Sequence, residues 1–577
     1  MGVQTALDAV RDAPGIIDAM RLADDLAFEA GRNPGVRTLR VLASALNGED
    51  EVAAIAAVHA LAQIFDEQAG HMLSALLSDR RGTIREHAAW ALGFGLPRYD
   101  AIGRLIAQVA AGGFTGMLAQ RTLERWSSAA SDTLAVSLES ALLGVNEPAA
   151  RARLVETLGL VRPPIATRLL IGIAANPGEH DDVRIAAVSA LGQRPDADGV
   201  SAPLEDLVGT DGLLGDVARL ALIDLEAIPL RRTAHDHGLT IAQLFLHADI
   251  DPSLASAGAG DNGGIATLLV RLGNALVADQ ETGVSRVITL SRGPVPQAAV
   301  DLLELGSLNE GHVYGRVPLR AEPVPSAAAW PLRVTARRGI RRILRAAGQV
   351  DLLHLRMADV GSLAAADVAR ELGIPVVFTV APDPHAVIQS LDRAGSLTRE
   401  QFGEVDLREH FWFRARLVQD LAANAAHTVL FPRPQLQQDM SQLVGIDITS
   451  HPERHTVVAE GVDLEVIDAS IAEARAAADG AAMRDLRVAL ADLPESRRHL
   501  PFVVSVGRLH RVKGMATLVD VWARGGLRDR ANLLIVGGDL DRPSLDEREQ
   551  LERIDAVIPA GERAAAGLVL AGHRPND

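Results

Sequence analysis

The chain has 577 residues, a formal net charge of −17, 48% hydrophobic residues, 3% aromatic residues and no cysteine. The lack of cysteine excludes disulfides, thiolate metal sites and cysteine nucleophiles, and the acidic balance argues against broad electrostatic binding of nucleic acid. A chain of this length exceeds what one hydrophobic core serves, so we expect several packing units.

The amino-terminal segment MGVQTALDAVRDAPG lacks the basic start and the apolar core of a signal peptide. No uninterrupted apolar run reaches the ~18 residues that a membrane span needs. We therefore expect a cytoplasmic protein.

The first 230 residues contain six similar segments, among them IAAVHALAQI, REHAAWALGF and VRIAAVSALGQ. Equivalent leucines recur 31 to 35 residues apart, at Leu61, Leu92, Leu123, Leu158, Leu191 and Leu222. A period of this size predicts stacked helical hairpins, and the pattern resembles a HEAT-type solenoid. Because such arrays offer an extended surface, we expect the repeats to recognise a partner. A passive spacer is the alternative.

From Leu239 the pattern changes to strands alternating with helices, which predicts a mostly parallel sheet. Strand candidates begin at residues 239, 286, 351, 375, 427 and 455, and a second series follows at 502, 531 and 567. The fold class is therefore a multidomain chain, with a helical solenoid followed by two Rossmann-like α/β lobes. We predict four segments: 1–235 (repeats), 236–463 (first lobe), 464–499 (helical connection) and 500–577 (part of a second lobe).

Two turns carry candidate anion-binding groups. In GDNGGIATLLV, Gly263 and Gly264 stand at a helix start, where backbone N–H groups and the helix dipole favour an anion. In FVVSVGRLHRVKGMATLVD, Arg508 and Lys513 lie on a turn that follows a strand. A guanidinium and an ammonium are the groups that bind phosphate oxygens. Together the two turns predict a diphosphate ligand, whereas each alone is also compatible with an ordinary tight turn or solvated loop.

From about residue 239 onward, the chain resembles retaining GT-B glycosyltransferases of the family four type, which includes sucrose synthase and sucrose-phosphate synthase. This resemblance is carried by four segments, namely GDNGGIATLLVRLGNAL, VVAEGVDLEVI, SVGRLHRVKGMATLVD and ANLLIVGGDLDRPSLDEREQLERI. It implies that Arg508 and Lys513 bind the diphosphate of a UDP-, GDP- or ADP-sugar, with Gly263 and Gly264 beside the donor. It also implies sugar transfer with retention, without metal or cofactor, and a catalytic place near the reacting sugar for His385.

The resemblance further implies two glutamates, eight residues apart, beyond Asp577. We therefore expect this chain to be truncated and weakly active or inactive. The acceptor is unknown; a protein or glycan held by the helical repeats would suit the architecture. The alternative function is a scaffold with a degenerate GT-B portion, and a third is a relative with other chemistry, such as a nucleotide-sugar epimerase.

The segment RVTARRGIRRILRAAG places four arginines at four-residue steps, namely Arg333, Arg337, Arg341 and Arg345. Such a basic amphipathic helix is typical of contact with an anionic membrane surface. Internal ion pairs are the alternative.

Paired histidines at 235–237 and 451–455 have no evident third ligand, so we expect no metal site.

Overall fold

The computed structural model describes residues 2–226, 238–253, 263–306, 310–320, 324–380, 383–459, 461, 464–475 and 481–574. Contacts divide the chain into two compact units. The larger unit comprises Met1–Leu246 and Leu276–Ala459, and the smaller comprises His247–Ala275 and Glu460–Asp577. The predicted boundary at 235/236 and the histidines at 235–237 lie outside the described residues.

The amino-terminal half of the larger unit is helical, which confirms the helical region predicted from the sequence. Its helices are α1 (Val3–Arg11), α2 (Ile16–Arg32), α3 (Val36–Leu46), α4 (Glu51–Leu61), α5 (Glu67–Leu76), α6 (Gly82–Leu92), α7 (Tyr99–Ala111), α8 (Gly113–Gly144), α9 (Pro148–Gly159), α10 (Pro164–Ala175), α11 (Asp181–Leu191), α12 (Ser201–Val208) and α13 (Leu213–Leu225). The repeated segments fall on α4, α6, α8, α9, α11 and α13, each of which contacts the next. The assignment to the HEAT class stays a prediction.

Small residues let these helices approach closely. A Cβ at Gly159 would lie 2.5 Å from the Cβ of Ala190, and one at Gly192 would lie 2.7 Å from the Cα of Ala221. Asp50 and Asp66 cap α4 and α5 through their side chains, which satisfies N–H groups that a helix start leaves unpaired. The Ala-rich sequence therefore builds a stack of short, capped helices.

The remainder of the larger unit is an α/β lobe with a parallel sheet. Its strands are β1 (Leu239–Phe245), β2 (Val284–Gly293), β3 (Gly311–Pro318), β4 (Leu352–Leu355), β5 (Val376–Thr379), β6 (His427–Leu430) and β7 (His455–Val457). The described strands have the order β3-β2-β1-β4-β5-β6-β7, and every adjacent pair is parallel. Its helices are α15 (Val295–Gly306), α16 (Arg333–Ala346), α17 (Val360–Leu372), α18 (Asp383–Arg393), α19 (Phe402–Glu409), α20 (Phe411–Asn424) and α21 (Leu436–Asp439). The helix α14 (Gly263–Ala278), which lies between β1 and β2 in the chain, belongs mostly to the smaller unit.

The smaller unit contains a second parallel sheet of three described strands, in the order β10-β9-β8. Its elements are α22 (Leu464–Arg475), α23 (Ala481–Leu490), β8 (Phe502–Val506), α24 (Met515–Arg524), β9 (Asn532–Val536), α25 (Leu545–Val557), α26 (Arg563–Ala566) and β10 (Leu568–Gly572). Leu509, Trp522, Leu533 and Ile554 are buried in its core. The multidomain class, a helical region followed by α/β structure with two parallel sheets, is confirmed.

The arginine-rich segment forms α16, which lies against the helical repeats. Arg342 donates two hydrogen bonds of 2.7 Å to Asp224, and both side chains are only 6% exposed. Glu124 accepts from Arg333 at 2.6 Å and pairs with Arg337 at 2.5 Å. The structure therefore supports the alternative of internal ion pairs for this helix, and the predicted membrane contact is without support.

Candidate functional site: the carboxyl edge of the second sheet

The turn that follows β8 carries the two predicted phosphate-binding cations. It leaves the strand at Gly507, includes a short 3-10 turn at Arg511–Lys513, and reaches α24 through Gly514. Gly514 has φ of 67°, a left-handed conformation that residues with a Cβ rarely adopt. The sequence thus encodes a defined strand-turn-helix unit rather than an open loop.

A buried leucine anchors this turn. Leu509 is 1% exposed and lies in the core of the smaller unit. The amide of His510 donates to the carbonyl of Arg508 at 2.9 Å, and the amide of Lys513 donates to the carbonyl of His510 at 2.9 Å. Arg508 is half-buried and Lys513 is exposed. The structure therefore brings both cations together on one hydrogen-bonded turn at the carboxyl end of β8.

The neighbouring strand β9 ends in a second glycine turn that packs directly on the first. A Cβ on Gly537 would lie 2.3 Å from the carbonyl oxygen of Gly507, and one on Gly538 would lie 2.7 Å from Leu509. Only glycine fits at such a close backbone approach. In the sequence, a Gly-Gly pair directly after an apolar strand is the signal that locates this turn.

A helix start contributes the third predicted element. The helix α14 begins at Gly263, and the place where a Cβ of Gly264 would stand is open space. Residues 247–275 cluster by contacts with 460–577, so Gly264 belongs to the same compact unit as Arg508 and Lys513. Residues 254–262, which include the start of the predicted glycine turn, lie outside the described residues.

The predicted catalytic histidine belongs to the larger unit. His385 lies in the first turn of α18, after β5, and is 2% exposed. Burial, with a smaller effect of the Arg416 charge, lowers the pKa of His385 to about 4, so its imidazole is neutral near pH 7. Among the described residues, its Nδ1 has no hydrogen-bond partner. Its catalytic role stays a prediction.

Two further histidines of the first sheet were missed by the sequence analysis. His354 of β4 shares a 2.8 Å hydrogen bond with Thr379 of β5, and His312 of β3 shares one of 2.7 Å with Thr289 of β2. Burial lowers the pKa of His354 to about 3 and that of His312 to about 4. His354 and Thr379 lie near the carboxyl ends of their strands and add neutral polar groups there. A histidine inside an apolar strand, as in DLLHL, is the sequence signal.

The described part of the chain contains neither a candidate metal site nor a candidate membrane-spanning helix. No group of three or more His, Asp or Glu side chains there is placed to hold a metal ion. None of the described helices has both the length and the hydropathy required to cross a bilayer.

One family model matches part of this chain. Residues 262–466 match the family model Glycosyltransferase Family 4, which confirms the predicted resemblance for that part of the chain.

Among individual proteins, Sucrose synthase 1 of Hordeum vulgare is 45% identical over 56 residues. That match spans 10% of this chain and only 7% of the relative. A glycosyltransferase structure from Rickettsia africae ESF-5 aligns at 15% identity and a TM-score of 0.33, covering 59% of this chain and 70% of its own. A ugt transferase structure from Siraitia grosvenorii in complex with UDP aligns at 16% identity and a TM-score of 0.31, covering 59% and 74% respectively.

Proposed function

We propose that this protein is a nucleotide-sugar-dependent glycosyltransferase with a GT-B arrangement. The observation that carries the proposal is the turn after β8, which holds Arg508 and Lys513 at the carboxyl edge of a parallel sheet. Ligands of α/β sheets bind at this edge. The family match over residues 262–466 supports the same class.

The chemistry follows from the charges on this turn. Departure of a nucleoside diphosphate develops negative charge on its phosphate oxygens, which cations fixed in advance stabilise. Arg508 binds two phosphate oxygens through its planar guanidinium, and Lys513 adds a mobile point charge. The backbone at Gly263 and Gly264, in the same compact unit, lies beside the donor. We propose transfer with retention, as the family resemblance implies.

The acceptor side is assigned to the first sheet. His385, His354 and Thr379 all lie at or just beyond the carboxyl ends of β4 and β5. The imidazoles of His385 and His354 are neutral near pH 7 because burial lowers both pKa values. They therefore act as hydrogen-bonding groups toward sugar hydroxyls, and His385 is the group we place nearest the reacting sugar.

Recruitment of a protein or glycan acceptor is assigned to the helical repeats. Part of the repeat surface is already occupied, because α16 pairs with Asp224 and Glu124. The segments that follow α4 and α6 carry large exposed apolar side chains, namely Phe65 (88% exposed), Phe94 (52%) and Leu96 (76%). Exposed apolar groups of this size are typical of interaction sites.

The donor assignment is tested by isothermal titration of the full chain with UDP, GDP and ADP. We expect saturable binding of one of them, weakened at least tenfold by Arg508→Ala and severalfold by Lys513→Ala. Arg511→Ala is the matched control, since Arg511 is an exposed arginine on the same turn, and it should change the affinity less than twofold.

Two outcomes would overturn the assignment. The first is the absence of saturable binding of all three nucleotides by the unmodified chain. The second is equal loss of affinity in the Arg508→Ala and Arg511→Ala variants, which would mean nonspecific attraction to a basic turn. Either result would favour the scaffold function over the enzyme.

A further inference from the structure

A second cationic site lies inside the larger unit. It is a cavity of about 850 Å³ lined by α8 of the repeats and by α16, α17 and α20 of the first lobe. Val376, Ala425 and Ala426 place it at the amino-terminal ends of β5 and β6. This is the sheet edge opposite to the one that leads into His385, so the cavity is separate from the predicted catalytic edge.

The charges that line this cavity do not balance. Its wall contains six guanidinium groups and three carboxylates, a formal charge of +3 in a chain whose net charge is −17. The arginines are Arg121, Arg125, Arg333, Arg337, Arg370 and Arg416, and the carboxylates belong to Glu124, Asp367 and Asp420. An excess of positive charge on a cavity wall attracts an anionic ligand, and guanidinium groups bind phosphate and carboxylate oxygens.

Most of these arginines have a partner within the unit. Glu124 serves both Arg333 and Arg337, and Arg370 pairs with Asp367 at 3.1 Å. Arg416 is directed to Asp24 of α2, with hydrogen bonds of 2.6 and 2.7 Å. The three carboxylates of the wall therefore leave part of the positive charge unmatched.

Two arginines of α8 make no ion pair with any described carboxylate. Arg121 lies 5.9 Å from the centre of the Phe413 ring. Arg125 lies 5.0 Å from the centre of the Phe94 ring and donates a long 3.4 Å hydrogen bond to the carbonyl of Gly93. Burial, reinforced by the charges of Arg125 and Arg333, lowers the pKa of Arg121 to about 10. In addition, Nε of Arg333 is buried without a hydrogen-bond partner. Guanidinium donors are thus available on the cavity wall.

We propose that this cavity binds a small phosphorylated metabolite whose phosphate is held by Arg121 and Arg125. Its volume suits a ligand of nucleotide or sugar-phosphate size, and guanidinium pairs recognise phosphate in a bidentate manner. Trp90, Phe413 and Leu417 supply apolar wall for the organic part. Because the wall comes from both the repeats and the first lobe, the ligand fastens the two together.

The test uses the full chain with Arg508→Ala and Lys513→Ala already in place, so that the proposed donor site does not contribute. Inorganic pyrophosphate is titrated calorimetrically into this background, followed by a hexose 6-phosphate and adenosine monophosphate to distinguish the organic part. We expect saturable binding and a raised melting temperature. Arg125→Gln should weaken pyrophosphate binding at least fivefold, and Arg121→Gln with Arg125→Gln at least twentyfold.

Arg40→Gln is the matched control, because Arg40 is an exposed arginine of α3 outside the cavity; it should change the affinity less than twofold. Arg125 is itself exposed, so its single variant reports on binding even if the double variant does not fold. Absence of saturable pyrophosphate binding in the background, or equal affinity in the Arg125→Gln and Arg40→Gln variants, overturns the proposal. Neither result depends on whether Arg508 binds a nucleotide.

Discussion

The two parallel sheets of this protein are supported in different ways. In the seven-stranded sheet, β1 lies between two partners, and Ala242 and Gln243 on its opposite faces are no more than 1% exposed. In the three-stranded sheet, β8 pairs only with β9 among the described strands, and Val504 and Val506 are 55% and 74% exposed. The strand that leads into the proposed donor turn is thus held mainly by β9 and by the buried Leu509.

Ion pairs in the two units also differ in how far their side chains are buried. The larger unit buries pairs such as Arg342 with Asp224, whereas Arg524 and Asp520 of the smaller unit are 78% and 37% exposed. Charges removed from water must be paired, while exposed pairs contribute little. The Arg342–Asp224 pair should therefore matter more for the stability of the larger unit than the Arg524–Asp520 pair does for that of the smaller unit.

The largest effect is expected from Asp224→Ala. It leaves the Arg342 guanidinium buried and unpaired, which typically costs about 3–5 kcal/mol. Urea unfolding of the full chain followed by tryptophan fluorescence measures it, since Trp90, Trp126, Trp330 and Trp412 belong to the larger unit. Asp520→Ala is the control, with an expected loss below about 0.5 kcal/mol. Similar losses in both variants would contradict the difference between the units.

The next largest effect on stability is expected from Leu509→Ala. Removing a fully buried leucine typically costs about 2–5 kcal/mol, and here the loss should fall on the smaller unit, where Trp522 is the reporter. We also expect severalfold weaker nucleotide binding, because the turn that holds Arg508 and Lys513 loses its anchor. Leu518→Ala, on the partly buried face of α24, is the control. Unchanged affinity in the Leu509→Ala variant would show that the turn is positioned by its hydrogen bonds alone.

A pH-dependent effect of intermediate size is expected from Glu86 in α6. Burial, with a smaller effect of the Asp406 charge, raises the pKa of Glu86 to about 8, although Thr115 donates a hydrogen bond to it. The folded state therefore keeps a proton that the unfolded chain has released, so stability falls as pH rises from about 5 to 8.

Glu86→Gln should remove this dependence. Between pH 6 and 7 the slope of unfolding free energy should become less negative by about 1 kcal/mol per pH unit, measured by urea unfolding at several pH values. His410, whose Nδ1 is 3.9 Å from Glu86 and whose pKa burial lowers to about 4, gives the opposite slope at lower pH. An unchanged slope in the variant would mean that Glu86 is ionised in the folded state.

The smallest effect on stability is expected from Val506→Lys on β8. The side chain is already largely exposed, so the change in unfolding free energy should stay below about 0.5 kcal/mol. Charged residues on a sheet edge oppose pairing with another chain, and we therefore expect less self-association in light scattering at high protein concentration. Val287→Lys, on the buried strand β2, is the contrast and should unfold the larger unit. Equal self-association of Val506→Lys and the unmodified chain would show that this edge makes no such contacts.

Local patterns predict most of the elements of this protein, but not the strand β3, which is absent from the strand candidates. The spacing of Leu61, Leu92 and Leu123 predicts stacked helices, and apolar runs ending in glycine predict strands with turns at their carboxyl ends. The turn around Arg508 and Lys513 was predicted for the same reason, since Gly507 and Gly514 bracket a short segment between strand and helix. These features depend on residues that are close in sequence, where periodicity and glycine conformation act directly.

The remaining features, namely ion pairing, burial and the cavity, depend on contacts between residues that are far apart in the sequence. The same basic pattern in α16 suits a membrane surface or internal carboxylates, and only folding brings Asp224 to Arg342 across 118 positions. The burial of His385, the pairing of His354 with Thr379, and the cavity around Arg121 likewise depend on which helices and strands become neighbours. Residue type and spacing determine a local conformation, but the energy of a charge depends on the groups that surround it in three dimensions.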